Sequence, residues 1–115
     1  MPVSLAHSQD LPEPGIMELS GHLDSDTSVQ VEEDIMLCVK SGAREMLLDF
    51  DRVNFMTGAG LRALIRIARA MQETGGKLAI CNLAPQARGM IEACGLDNFI
   101  AIYEDQASAR LALAA

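Results

Sequence analysis

The chain has 115 residues, of which 50% are hydrophobic, 22% charged and 3% aromatic, and a formal net charge of −7. That length supports one domain, and with three Phe, one Tyr and no Trp its core must be filled by aliphatic side chains and seven Met. The acidic balance excludes nucleic acid or an anionic membrane as main partner, since both are bound through excess Lys and Arg, and no apolar run approaches the ~20 residues of a membrane span.

The first pattern in the chain is Leu11–Gly15, whose prolines and glycine predict a turn between two N-terminal strands. Ile16, Met17 and Leu19 then form a short apolar strand that Gly21 closes. Asp24 and Asp26 precede Thr27, and either carboxylate suits a helix N-cap. Val31, Ile35, Cys38 and Val39 continue that helix at helical spacing to a stop at Gly42. Met46, Leu47 and Leu48 read as a buried strand ending at Asp49, with Asp49 and Asp51 as solvated turn residues either side of Phe50. Met56–Gly60 reads as a loop. The clearest helix follows, with Leu61, Leu64, Ile65, Ala68 and Met71 on one face and Gly75–Gly76 as its end. Leu78–Cys81 is the next strand. Pro85 opens a helix through Ile91 to Cys94, stopped by Gly95. Phe99–Tyr103 is a last strand, and Asp105 caps an Ala-rich final helix. Strands alternating with helices imply parallel pairing through right-handed crossovers. The expected fold is α/β, a mixed and mostly parallel sheet of about four or five strands with about four helices.

Cys38, Cys81 and Cys94 are odd in number and lack Cys-x-x-Cys spacing, so neither a disulfide framework nor a zinc site is expected. His7 and His22 are the only imidazoles and read as surface or loop residues; no metal and no cofactor are predicted. No basic stretch followed by an apolar one opens the chain, so the expected compartment is a reducing cytoplasm.

In parallel α/β sheets, sites gather where strand C-termini meet helix N-termini. That edge carries Asp24, Asp49 with Asp51, the segment Thr57–Gly60, and Asn82. Thr57-Gly58-Ala59-Gly60 is the most unusual of these. Its glycines permit close approach, and the helix after it directs free N–H groups and a positive dipole end at whatever sits there. The plain structural reading is a glycine-rich turn with Thr57 as N-cap. Gly58, Gly60 and Ala63 also match the dinucleotide pattern G-x-G-x-x-A. Arg52 and Asn54 interrupt the apolar strand that pattern requires, and Asn82 stands where an acidic residue should meet the ribose. Asp49 and Asp51 with Lys77 resemble an acidic phosphoacceptor site, but Ser20 and His22 occupy the place of its earlier acidic pair. Two N-terminal histidines build no Ser–His–Asp or Cys–His arrangement. No enzymatic activity is predicted. Arg62, Arg66 and Arg69 share one face of the long helix, either as a solvated stripe or as a surface for an acidic partner.

Seven pieces occur in a telling order: Gly21-His22-Leu23-Asp24, Met46–Phe50, Val53 to Phe55-Met56, Gly60–Leu64, Gly75–Leu78, Asn82-Leu83-Ala84-Pro85 and Gly95-Leu96-Asp97. Together they resemble the STAS domain family over about residues 16–114, within one domain over residues 1–115. The resemblance implies a regulatory binding module. Stand-alone members look like anti-sigma factor antagonists, which bind an anti-sigma factor that is often also a serine kinase. That kinase, with ATP, phosphorylates a serine before the long helix, and the complex is lost. A phosphate of about −1.5 to −2 charge alters both charge and fit at a docking surface. The family usually shows Asp-Ser-Ser-Gly or Thr-Ser-Ala-Gly here, so the acceptor position aligns with Gly58, which has no hydroxyl. Either the module is locked in its binding-competent form or Thr57 is a displaced acceptor; the first is preferred, since Thr57 suits an N-cap. The implied partner surface is Asp24, Thr57, Gly58, Ala59, Gly60, Arg62 and Arg66. Alternatives are a STAS subunit of a lipid-transport ATPase or signalling complex, or a nucleotide-binding protein using Gly58, Gly60 or Asp49. Residues 1–51 hold eleven acidic and two basic side chains, whereas residues 52–115 hold seven basic and five acidic ones. Positive charge therefore gathers from the switch-like segment onward.

Overall fold

The computed structural model describes residues 4–5 and 15–114. Its strands are β1 (Ser4–Leu5), β2 (Gly15–Leu23), β3 (Glu45–Met56), β4 (Lys77–Cys81) and β5 (Ala101–Tyr103), hydrogen-bonded in that order into one sheet. β1 lies antiparallel to β2, and every later neighbour is parallel. Parallel neighbours need a crossover. These are supplied by α1 (Thr27–Lys40), α2 (Gly58–Glu73), and α3 (Pro85–Ala93) with a 3₁₀ turn at Leu96–Asn98; α4 (Gln106–Ala114) follows β5. This is the mixed, mostly parallel sheet with four helices that the alternation of apolar patterns implies.

Successive strand residues face opposite sides of the sheet. Met46, Leu48 and Phe50 of β3 point to α1, α2 and α3, where they meet Ile35, Leu64 and Ile91. Leu47 points the other way, joining Ile16, Ala79 and Cys81 under Ala109 of α4. The first layer holds most of the core, and each large aliphatic side chain buried there is worth roughly 1.5–3 kcal/mol relative to exposure.

Several boundaries move from where the sequence puts them. β3 does not end at Asp49 but runs to Met56, because β2 pairs with it from Gly15↔Met46 to Leu23↔Met56. β4 leaves the ladder at Asp49↔Cys81, so the second half of β3 has a strand on one side only. Asp51, Arg52 and Asn54 are exposed there, which is why they resemble turn residues. Asp49 is not a solvated turn residue either, being only 7% exposed. Gly21 does not close β2. Its φ of 87° accompanies a register shift between Gly21 and His22, a bulge that a side chain would strain, and the strand goes on to Leu23. Met56–Gly60 is no loop: Thr57 is the N-cap of α2 and Gly58 its first residue. Phe99 precedes β5, since the Ile100 N–H still donates to the Leu96 carbonyl of the 3₁₀ turn. Of the two candidate caps of α1, Asp26 makes no side-chain capping bond, while Asp24 Oδ1 accepts from the N–H groups of Asp26 and Thr27, at 3.0 Å each. Asp105 caps α4 as expected, taking the Ser108 N–H at 2.8 Å. The turn at residues 11–14 and His7 lie outside the described residues.

Candidate functional site

A β-strand that hands directly into a helix must satisfy its last backbone groups and the helix's first N–H groups within a few residues. Thr57 does this at the end of β3. Its N–H donates to the Leu23 carbonyl at 2.9 Å, its hydroxyl donates to the same oxygen at 3.3 Å, and that hydroxyl accepts from the Gly60 N–H at 3.4 Å. The ends of β2 and β3 are thereby tied to the first turn of α2. Gly60 makes the closeness possible: a Cβ there would lie 2.5 Å from the Leu23 oxygen and 2.9 Å from its Cγ. Gly58 is different. It is exposed, and a Cβ would meet only the Arg62 Nη1, at 3.4 Å. Ala59 is half-buried between them.

The first turn of α2 carries no acidic side chain. Its free N–H groups, the dipole end and the Arg62 guanidinium give the surface around Gly58 a positive character. Asp24 follows Leu23 and is half-buried. The bond from the Thr27 N–H holds its carboxyl below the usual aspartate range. Arg66 is turned toward α1, where its Nε and Nη2 grip Glu32 in a bidentate pair at 2.8–3.0 Å. The bonds from Arg66 draw the Glu32 carboxyl below its ordinary value, and those to Glu32 raise the guanidinium. Arg69 leans the other way, over a cleft of about 180 Å³ between α2 and the 3₁₀ turn, together with Ile65, Cys94 and Phe99. The arginine stripe thus divides among three settings.

Asp49 belongs to a separate polar cluster. Its Oδ1 accepts from the Asp51 N–H at 3.0 Å and the Asn82 side chain at 2.9 Å, and its Oδ2 accepts from Gln106 of α4 at 2.9 Å. It pins Asn82, at a positive φ of 59°, and α4 to the sheet. Burial, reinforced by the Asp49 charge, pushes the adjacent Cys81 thiol up to about 12. Among the described residues no group of His, Cys, Asp and Glu is arranged to hold a metal ion.

Sequence reasoning missed two features. Phe55 is 47% exposed beside the site, its ring edge-on to His22 at 6.3 Å. Gln86 of α3 bonds both backbone groups of Met56. The pairing His22↔Phe55 across β2 and β3 follows from register, which one chain's pattern does not specify.

Comparison with known proteins settles the family. The STAS domain model matches residues 6–109. The chain belongs to the STAS domain family. Among its relatives is BtrV of Bordetella bronchiseptica, named as a candidate anti-sigma factor antagonist, 31% identical over 97 residues that cover 84% of this chain and 81% of that one. The anti-sigma F factor antagonist of Paenibacillus polymyxa is 26% identical over 98 residues, covering 82% and 81%. The STAS domain here superposes on an anti-sigma factor antagonist from Mycobacterium paratuberculosis with a TM-score of 0.83, at 21% identity, over 99% of this chain and 96% of the other. At that identity the superposition speaks for the fold.

Proposed function

We propose that this STAS domain acts as an anti-sigma factor antagonist of the cytoplasm, a binding protein and not an enzyme. It docks an anti-sigma factor or related serine kinase through Thr57–Gly60, Arg62 and the neighbouring Asp24 and Arg66. Two relatives that share most of its length carry the antagonist name, and that supports the partner class. The observation that carries the site is Gly58, exposed at the first position of α2 with open space beside it and a guanidinium at its shoulder. Gly58 offers no hydroxyl, and the Thr57 hydroxyl is engaged with Leu23 and Gly60. The module is therefore held in its unphosphorylated, docking-competent form.

The test is a mass measurement after incubation with the kinase-type anti-sigma factor and ATP. Wild type is expected to keep its mass, and Gly58→Ser to gain one phosphate, since the space at position 58 admits the side chain. Phosphate on wild-type Thr57 overturns the locked state. A pull-down from native lysate that recovers no anti-sigma regulator overturns the partner.

A further inference from the structure

Gln86 is the second residue of α3, behind Pro85, and its side chain reaches back thirty positions to the backbone of β3. Its Oε1 accepts from the Met56 N–H at 3.0 Å, and its Nε2 donates to the Met56 carbonyl at 2.8 Å. β4 has already ended at Cys81, opposite Asp49, so this stretch of β3 has β2 on one side and no strand on the other. A primary carboxamide carries an acceptor and a donor side by side, as a strand backbone does, and so completes an open strand edge with one side chain. The bond falls on the residue immediately before Thr57. On its other side Met56 pairs with Leu23, whose carbonyl takes both Thr57 bonds. The peptide that enters α2 is therefore gripped from both flanks, by β2 and by Gln86.

We propose that Gln86 is a positioning residue for the Thr57–Gly60 turn. By closing the free edge of β3 at Met56 it fixes the plane of the peptide leading into α2, and with it the direction in which Gly58 and Arg62 face an incoming protein. Only the effect on docking rests on the function proposed above; the grip on Met56 does not.

The experiment joins residue-resolved amide exchange on the full chain with affinity for the anti-sigma protein recovered by pull-down. In Gln86→Ala the Met56 N–H is expected to exchange roughly tenfold faster, the equivalent of one net hydrogen bond, while Leu48 and Ile80 keep their rates. Gln86→Glu keeps the acceptor but sets a carboxylate against the Met56 carbonyl, and is expected to loosen Met56 as well. Ile91→Val loosens the core under α3 without touching the clamp, and leaves Met56 as it was. Unchanged Met56 exchange in Gln86→Ala overturns the positioning role. Affinity is expected to fall roughly tenfold in Gln86→Ala and to hold in Ile91→Val. Equal losses in both variants, or no loss in Gln86→Ala while Gly58→Asp abolishes binding, overturn the link to docking. If Gly58→Asp binds like wild type, the docking function of the turn falls instead, and the exchange result still decides the role of Gln86.

Discussion

A methyl group added at Gly60 meets the Leu23 carbonyl oxygen at 2.5 Å, whereas one added at Gly58 touches only the end of the Arg62 side chain. The first collision is with backbone that is itself bonded to Thr57, so it cannot relax without parting β2 from α2. Gly60→Ala is expected to cost about 1–3 kcal/mol, the range for forced overpacking. Gly58→Ala should stay within about 0.5 kcal/mol of wild type, since it clashes with nothing and improves helix propensity. Urea denaturation midpoints separate the two; equal losses would mean that close approach at Gly60 is not what the glycine provides. Thr57 belongs to the same unit. Removing its hydroxyl in Thr57→Ala orphans the Gly60 N–H and is expected to cost about 1 kcal/mol, most of which Thr57→Ser restores.

Between elements, α4 is attached to the sheet with little buried surface of its own. One residue of this helix, Ala109, is fully buried, and among the described residues the side-chain bond from Gln106 to Asp49 ties it to the sheet. Beneath it lies Cys81, fully buried, its thiol pushed up to about 12. Asp49→Ala should release Gln106 and Asn82 and remove a negative charge beside the thiol, and both changes favour reaction at Cys81. With a thiol reagent at mild alkaline pH, Cys94 is expected to react first and Cys81 last in wild type. Asp49→Ala should speed the Cys81 phase selectively; an unchanged Cys81 rate would mean that Asp49 does not hold the helix down. The stronger elements were the legible ones. α2 shows its apolar face in the sequence because Leu64, Ala68 and Met71 repeat at helical spacing and are buried, although Leu61 and Ile65, expected on that face, are only half-buried and Ile67 is buried in addition. The second half of β3 did not, since a strand paired on one side exposes Asp51, Arg52 and Asn54 as a turn would. Thr57 was readable as a cap from its own chemistry. Gln86, Asp49 and Phe55 were not, because their partners are 30 residues away, across the sheet, or set by register, and a local pattern carries no such distance.

Across the whole molecule the two oppositely charged halves of the sequence interlock. The change of sign falls within β3, and the chain then returns so that α2 packs beside α1. Arg66 meets Glu32 at that seam, on the surface of the helix pair, and so joins one charge from each half. Glu32 and three ionisable groups elsewhere in the fold give its stability an expected pH dependence. Asp24, Glu32 and Asp105 all have folded values lowered from 3.8, 4.5 and 3.8, by hydrogen bonds from Thr27, Arg66 and Ser108 respectively. A lowered value means that the folded state binds the proton less tightly than the unfolded chain. Each contribution is therefore present above the ordinary carboxyl value and lost as pH falls through the folded one. Cys81 has the opposite sign: raised from 9.0 to about 12 by burial, it contributes below 9.0 and is lost as pH climbs toward 12. A plateau in the urea midpoint is expected from about pH 5 to pH 9, with a fall on each side. Arg66→Ala should let Glu32 titrate nearer 4.5 and flatten part of the acid limb, read by carboxyl NMR shifts beside the denaturation curve. Cys81→Ala should lower the plateau through the cavity it leaves, yet remove much of the alkaline fall. An alkaline limb that persists unaltered in Cys81→Ala would assign it to other groups and detach the buried thiol from the stability of the second face.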